Sequence, residues 1–230
     1  MNSKTLTYLF SGIYLVIAIV VISVKLLNLA GLENIFKPLL LFTLILWFSV
    51  NSFSLKHKIN LIFIAALFFS LLGDVFLMPY FDNFILGLVF FLISHLFYIL
   101  VFIEKGHFLS NLNKSKSLAI IIFCVYAVLL LLLMPDIIKS GDMVLMIAVP
   151  IYATVLLFMV LSTISYSKTH LTVFGRYVML GGIFFLASDG ILALNKFSFS
   201  IPYSPVWVMG TYTIAQWLLV YGFINSKKTV

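Results

Sequence analysis

Two aspartates, Asp74 and Asp189, stand within long apolar stretches of a 230-residue chain that has only seven acidic residues. An ionisable side chain near the centre of a membrane-spanning helix costs at least about 2.5–3.5 kcal/mol, so its presence calls for a functional or a structural reason. These two carboxyls are therefore the first candidates for chemistry. We predict that each lies in the outer part of its helix and that both face one poorly hydrated cavity inside a helix bundle.

Two carboxyls in such a cavity can divide the roles of acid and base. Poor hydration disfavours the charged form of a carboxyl, so one aspartate can stay protonated while the other, close to a cation, stays ionised. Lys37, beside Pro38 at the outer start of a predicted helix, is the cation that we expect there. Such a pair suits hydrolysis of an acid-labile ether through an oxocarbenium-like state, and it equally suits proton-coupled transport.

Other polar side chains in apolar stretches are candidates for supporting roles. His95 and Tyr98 fall on one helical stripe whose members recur every three or four residues, so both are predicted to face the bundle interior. Tyr212 and Gln216 are one turn apart on the last predicted helix. The structural alternatives are a core histidine, interhelical hydrogen bonds and, for Lys37, an interfacial anchor whose ammonium reaches water. A structural partner for a buried cation is the alternative role of either aspartate.

The segments around the two aspartates are similar to each other. Residues 68–74 read FFSLLGD and residues 184–189 read FFLASD, and the aspartates are 115 residues apart, which is half the chain. This spacing predicts two halves of four helices each that run in the same direction. In the second half, Gly182 and Ala193 share a stripe with Asp189, and these small residues should let a neighbouring helix approach closely.

Composition identifies the bilayer as the solvent of these helices. Hydrophobic residues make up 63% of the chain and charged residues 9%, with a mean hydropathy of +1.22, whereas soluble domains carry about 25% charged residues. No soluble fold of this size hides so much apolar surface, so we predict an all-α, polytopic transmembrane bundle of about eight helices in a single domain, 1–230. The predicted spans are 7–26, 35–53, 58–78, 84–103, 116–134, 143–163, 173–195 and 204–224.

Eight spans place both termini on the same side of the membrane. Ten basic residues fall on that side and four on the other, which predicts cytoplasmic termini by the positive-inside rule. The ten are Lys4, Lys56, Lys58, Lys105, Lys114, Lys116, Lys168, Arg176, Lys227 and Lys228, and the four are Lys25, Lys37, Lys139 and Lys196. Membrane anchoring and anionic headgroups thus explain the net charge of +7, and we expect no nucleic-acid partner.

Cysteine and histidine usage gives no support to a metal site. Cys124 is the only cysteine, which excludes an intramolecular disulfide and a cysteine cluster. Only His95 among the four histidines lies within a predicted span, whereas a zinc hydrolase needs three or four ligands. We therefore expect no metal and no cofactor.

Motifs dispersed over the predicted spans resemble the YhhN family, which includes the lysoplasmalogenases. Gly182 stands where that family more often has alanine, a departure that leaves the aspartates untouched. The motifs are Lys37-Pro38-Leu39, Leu72-Gly73-Asp74 with Met78, Gly87-Leu88 to Ser94-His95 with Tyr98, Phe185-Leu186-Ala187-Ser188-Asp189 with Leu192-Ala193, and Ala215-Gln216.

The resemblance implies an eight-span enzyme that hydrolyses the vinyl ether bond of lysoplasmalogens. The products would be a fatty aldehyde and a glycerophospho-base, such as glycerophosphoethanolamine or glycerophosphocholine. It implies catalytic roles for Asp74 and Asp189, with binding or supporting roles for four further motif residues. The four are Lys37, His95, Tyr98 and Gln216. We expect Tyr212, one turn before Gln216, to support the same site.

The expected partners are a single-chain ether phospholipid and membrane lipids, and the expected location is the cytoplasmic membrane if the source is bacterial. The main alternative is a proton-coupled transporter or lipid permease that uses the same aspartates. A non-catalytic membrane partner protein and a hydrolase of another lysolipid bond are further alternatives.

Overall fold

The computed structural model of the protein describes residues 3–51, 58–103 and 107–226. Within these ranges the chain forms nine α-helices and no β-strand. Eight helices are long and match the eight predicted spans one for one, whereas the short α5 was not predicted. The helices are α1 (Ser3–Leu26), α2 (Ala30–Asn51), α3 (Lys58–Phe76), α4 (Phe84–Phe102), α5 (Phe108–Lys114), α6 (Lys116–Ser140), α7 (Met143–Thr169), α8 (Val173–Phe197) and α9 (Ser204–Ser226).

Seven helices of the described ranges, α1–α4 and α6–α8, are long and apolar enough to cross a membrane. The protein is therefore an integral, multi-pass membrane protein, as composition predicted. The remaining long helix, α9, has 23 residues but lies outside this set. It buries polar residues such as Thr213 and Gln216, and a helix packed against protein has less need of an apolar surface than one that faces lipid. The crossing of α9 and the cytoplasmic position of the termini stay predictions.

Some predicted features fall where the structure gives no description. They are the end of the second span at 52–53 and four of the basic residues counted on the cytoplasmic side, Lys56, Lys105, Lys227 and Lys228.

The predicted end of the fifth span at residue 134 was wrong, because α6 continues through Pro135 to Ser140. The helix stops at Gly141, whose positive φ of 71° is a conformation that glycine adopts without strain. Asp142 then caps α7, since its carboxylate accepts hydrogen bonds from the amides of Val144 and Leu145. The helix boundary thus depends on the glycine and the cap rather than on the proline.

The connection between α4 and α6, which was predicted to be a loop, holds a short helix. Asn111 of α5 is buried and its side-chain amide donates to the carbonyl of Ser165 at 3.2 Å and to the hydroxyl of Thr169 at 2.8 Å. Both acceptors belong to α7, so a tertiary contact stabilises a seven-residue helix that is too short to be stable alone.

The chain divides into two compact units. The first comprises residues 1–101 and 223–230, and the second comprises residues 102–222. Asp74 and Asp189 stand on the third long helix of the first and second unit respectively, α3 and α8. The halves predicted from the repeat therefore coincide closely with these units, whereas the single domain and the parallel arrangement of the halves stay predictions.

In the first unit, α3 and α4 approach each other through small residues. The hydroxyl groups of Ser70 and Ser94 are 2.7 Å apart, and the Ser94 hydroxyl also donates to the carbonyl of Ala66 at 2.8 Å. A Cβ atom added to Gly73 would lie only 2.6 Å from Cδ2 of Phe91. Glycine at position 73 thus lets the aromatic ring of α4 pack beside Asp74.

In the second unit, Gly182 of α8 packs on Thr163 of α7, which confirms the close approach predicted from small residues. A Cβ atom at Gly182 would collide with the Thr163 hydroxyl and lie 3.1 Å from its methyl carbon. The hydroxyl cannot easily move aside, because it donates to the carbonyl of Val160 at 2.7 Å.

We expect Gly182→Ala to lower the melting temperature in detergent by several degrees, because overpacking of a tight contact costs about 1–3 kcal/mol. Gly210→Ala is the matched control in the same unit, since a Cβ atom there meets nothing within 4 Å. Alanine is the better helix former, so the control should keep or slightly raise the melting temperature. Thermal unfolding of both variants tests the contact, and equal melting temperatures would contradict it.

Candidate functional site

Asp74 is buried on α3 and forms an ion pair with Lys37 of α2. The Lys37 Nζ atom lies 3.3 Å from Oδ1 of Asp74 and also donates to the Asp74 carbonyl oxygen at 3.3 Å. The two side chains are 5% and 4% exposed. The predicted cation beside one aspartate is therefore confirmed, and the alternative of Lys37 as an anchor with its ammonium in water is wrong.

A second ion pair lies beside the first. Nζ of Lys25, near the end of α1, is 2.7 Å from Oε1 of Glu33 in α2. Lys25 is also close enough to Lys37 and Asp74 for electrostatic interaction. We call Lys25, Glu33, Lys37 and Asp74 the four-charge cluster, and its formal charges sum to zero. Charges removed from water need such pairing, since an unpaired buried ion is strongly destabilising.

Glu33 and the pairing role of Lys25 were not predicted, because Glu33 precedes the predicted start of the second span at residue 35 and Lys25 lies at the very end of the first predicted span, 7–26. Helix α2 begins at Ala30, earlier than the predicted residue 35, so Glu33 is inside the helix and 6% exposed. The spacing of Glu33 and Lys37 was the available signal, because residues four apart share one helix face.

Three further polar rings of the first unit are buried. Tyr14 of α1 is 4% exposed, and His95 and Tyr98 of α4 are both fully buried. Tyr14 is close enough to Asp74 and to Tyr98 for electrostatic interaction. The prediction that His95 and Tyr98 face the interior is thus confirmed, and the structure adds a tyrosine near the carboxyl.

Tyr14 was missed because α1 was read only as an apolar span. The signal that could have found it is a polar stripe on that helix, since Thr7, Ser11 and Tyr14 recur at four and three residues. The same face continues with the buried Ala18 and Val21. A tyrosine on a helix face that continues with buried residues is predicted to point at protein. Tyr8 lies on another face of α1 and is exposed.

Asp189 of the second unit is half-buried on α8 and accepts a hydrogen bond from Tyr152 of α7. The phenolic oxygen of Tyr152 donates to Oδ2 of Asp189 at 2.5 Å, and Tyr152 itself is 9% exposed. The prediction that Asp189 points at a neighbouring helix is confirmed. Tyr152 was missed, although the repeat marked it: it follows Lys37 by the same 115 residues that separate the two aspartates.

The α9 residues Tyr212 and Gln216 are buried and are hydrogen-bonded to each other. The Gln216 amide donates to the Tyr212 hydroxyl at 3.4 Å. The ring of Phe185, one turn before Asp189, meets the Tyr212 ring edge-on with centroids 5.5 Å apart. The hydrogen bond agrees with the structural alternative for these residues, except that it lies within one helix rather than between two.

The structure brings Lys37 together with Asp74, and it brings Asp189 together with Tyr152. The two carboxyls belong to different units, and their convergence on one cavity stays a prediction. Among the residues with a described position, no three His, Cys, Asp or Glu side chains form a metal-binding group. The expected absence of a cofactor also stays a prediction.

Comparison with known protein families identifies the family of this chain. The model of the YhhN family matches residues 32–223. The chain belongs to the YhhN family. This range contains Lys37, Asp74, Tyr152 and Asp189, so both carboxyls and the side chains that contact them fall inside the part that matches the family.

Curated relatives of this YhhN-family chain match it over a short stretch. It is 44% identical over 50 residues to lysoplasmalogenase TMEM86A of Homo sapiens and 40% identical over 50 residues to lysoplasmalogenase TMEM86A of Bos taurus. Each match covers 22% of this chain and 21% of the relative. No solved structure matches the chain.

Proposed function

We propose that this YhhN-family chain is a membrane hydrolase that cleaves the vinyl ether bond of lysoplasmalogens, with Asp74 and Asp189 as base and acid. The observation that carries the proposal is the buried Lys37–Asp74 ion pair, whose Nζ–Oδ1 distance is 3.3 Å. A buried pair of this kind is costly to assemble, and intramembrane charges mark functional sites by default. The names of the partly matching relatives support the same activity.

The reaction needs one proton donor and one proton acceptor. Asp189 gives a proton to the β-carbon of the vinyl ether, and the ether oxygen shares the positive charge of the resulting oxocarbenium ion. Asp74 takes a proton from water as the water oxygen bonds to the α-carbon, which forms a hemiacetal. Asp189, now a carboxylate, takes the proton of the hemiacetal hydroxyl while Asp74 gives its proton to the glycerol oxygen, and cleavage of that C–O bond releases a fatty aldehyde and the glycerophospho-base. Both aspartates thereby return to their starting protonation states. One water is consumed for each vinyl ether cleaved.

The two roles follow from the different partners of the carboxyls. An ion pair with Lys37 requires Asp74 as a carboxylate, which is the form that accepts a proton from water. The phenol of Tyr152 can donate to either form of Asp189, so this carboxyl can carry a proton and then release it.

The membrane location fits a lipid with a single apolar chain. Such a substrate is dissolved in the same bilayer as the helices, so it can reach a carboxyl within the bilayer without crossing water. Lys25 is 22% exposed, against 5% for Lys37, so it is the cation of the four-charge cluster better placed to meet a phosphate.

The test is product analysis with the purified protein in detergent micelles. We expect a vinyl ether lysolipid to give a fatty aldehyde and a glycerophospho-base, and we expect the alkyl ether and ester lysolipids of the same headgroup to stay intact. Mass spectrometry of all three reactions measures this. Cleavage of the ester alone would replace the proposal by another lysolipid hydrolase. Absence of any product would favour the transporter alternative, because micelles offer no two compartments.

A further inference from the structure

Each of the two carboxyls is bonded to a side chain that stands 37 residues before it. Lys37 pairs with the Asp74 carboxylate, and Tyr152 donates to the Asp189 carboxyl, with the same sequence separation of 37 residues in both pairs. The aspartates are 115 residues apart, so Lys37 and Tyr152 are also 115 residues apart. Two contacts in different units therefore obey one internal repeat.

The helices that carry these partners are also equivalent in the two units. Lys37 is on α2, directly before the α3 helix of Asp74, and Tyr152 is on α7, directly before the α8 helix of Asp189. Each helix also contains a proline close to the partner, although at different offsets: Pro38 follows Lys37 by one residue and Pro150 precedes Tyr152 by two. A proline removes one backbone hydrogen bond of its helix. The second unit thus repeats the arrangement of the first with a phenol in place of an ammonium.

We propose that Tyr152 is the counterpart of Lys37 in the second unit, a positioning residue that fixes Asp189 and stabilises it as it gives up its proton. The kinetic part of this inference rests on the proposed function. The arrangement of Tyr152 and Asp189 does not, since it is visible in the contact and in the repeat.

The hydrogen bond explains how Tyr152 would raise the rate. The phenol holds Oδ2 of Asp189 at 2.5 Å and so fixes the direction of the carboxyl group. When Asp189 releases its proton the acceptor becomes charged, and a hydrogen bond to a charged group is about twice as strong as one between neutral groups. An interaction that strengthens in the transition state raises kcat and leaves KM nearly unchanged.

The repeat also explains why the two partners differ. Lys37 brings a full positive charge to Asp74, which suits a residue that must stay a carboxylate until it accepts a proton. Tyr152 brings a hydrogen bond without a charge, which suits a residue that must alternate between acid and carboxylate. One repeated arrangement thereby supplies two carboxyls of different character.

The chain offers a matched control for removal of one phenolic hydroxyl. Tyr126 of α6 and Thr154 of α7 have their hydroxyl groups 3.0 Å apart. Thr154 is only two residues after Tyr152 on the same helix. Tyr126→Phe removes a hydroxyl of α6 that contacts α7, and Tyr152→Phe removes a hydroxyl of α7 that contacts α8. Tyr126 has no role in the proposed chemistry.

We expect Tyr152→Phe to lower kcat for aldehyde release by about 10- to 100-fold, since a hydrogen bond to a charged group contributes about 1.5–3 kcal/mol. KM should stay within about twofold of the wild-type value, because the phenol acts through Asp189 rather than on the lipid. Tyr126→Phe should keep both constants within about twofold. Thermal unfolding of the two variants, measured in the same detergent, shows whether each is folded.

A second measurement does not depend on turnover. Dicyclohexylcarbodiimide is an apolar reagent that modifies protonated carboxyls, and peptide mass spectrometry can follow its attachment to Asp189. We expect labelling of Asp189 in Tyr152→Phe to be several-fold faster than in the wild type or in Tyr126→Phe, because the phenol no longer covers Oδ2. Labelling of Asp74 should not change.

Each outcome decides the inference. Unchanged kcat with unchanged labelling overturns it, and so does a rise of KM at constant kcat, which would mean that Tyr152 binds the lipid. An equal fall of kcat in both phenylalanine variants overturns it, and so does unfolding of Tyr152→Phe while Tyr126→Phe stays folded. A wild-type protein without aldehyde release, combined with faster labelling in Tyr152→Phe, would refute the proposed function and uphold the pairing of Tyr152 with Asp189.

Discussion

Replacing Asp74 or Asp189 with asparagine is expected to lower the rate of aldehyde release by about 100- to 10,000-fold, the range that one positioned acid or base supplies. Asparagine keeps the size of aspartate and most of its packing, but it can neither take up nor release a proton at neutral pH. The loss should therefore appear in kcat. Initial rates of the purified variants on a vinyl ether lysolipid measure it.

Asp136→Asn is the matched control for both substitutions. Asp136 pairs with Lys139 on α6 at 3.6 Å, and its side chain is 40% exposed. A half-exposed pair within one helix contributes little, so this variant should keep its rate within about twofold. Full activity of Asp74→Asn and Asp189→Asn, with both proteins folded, would remove the acid–base proposal.

Lys37→Met should destabilise the protein by about 3–5 kcal/mol, the usual cost of breaking a buried ion pair from one side. The substitution leaves the Asp74 carboxylate, whose side chain is 4% exposed, without its ion-pair partner at Oδ1. We expect a lower melting temperature in detergent and a smaller folded yield from membranes. A melting temperature equal to that of the wild type would show that the pair is not a stabilising contact.

The double variant Lys37→Met/Asp74→Asn separates the folding role of this pair from its catalytic role. Replacing both partners also removes the carboxylate that lost its Lys37 ammonium, so much of the lost stability should return. Activity should not return, because no base is left at position 74. Lys139→Met is the control cation, since its side chain is 78% exposed and its loss should change the melting temperature very little.

The long helices could be predicted from the sequence because each is an unbroken apolar run with polar residues at its ends. All eight predicted spans correspond to a helix, including α9, which becomes less apolar where it packs on protein. The features that were missed depend on tertiary contacts. Helix α5 depends on the hydrogen bonds of the buried Asn111, and the end of α6 depends on the conformation of Gly141 rather than on Pro135.

The candidate site could be predicted to the extent that burial of polar groups is rare in a bilayer. Asp74, Lys37, His95 and Tyr98 stood out as polar residues among apolar ones, and all four are buried. Tyr152 did not stand out, because a tyrosine in an apolar helix is common in such a composition. Its contact depends on how α7 and α8 pack, and only the repeat carried that information in the sequence.

The zero net charge of the four-charge cluster constrains how the protein enters the membrane during synthesis. Helix α2 carries Glu33 and Lys37, whose partners belong to α1 and α3. A nascent α2 alone would carry both charges into the membrane without these partners, which raises the cost of its insertion. We therefore expect α2 to enter lipid together with α1 and α3, as one neutral three-helix unit.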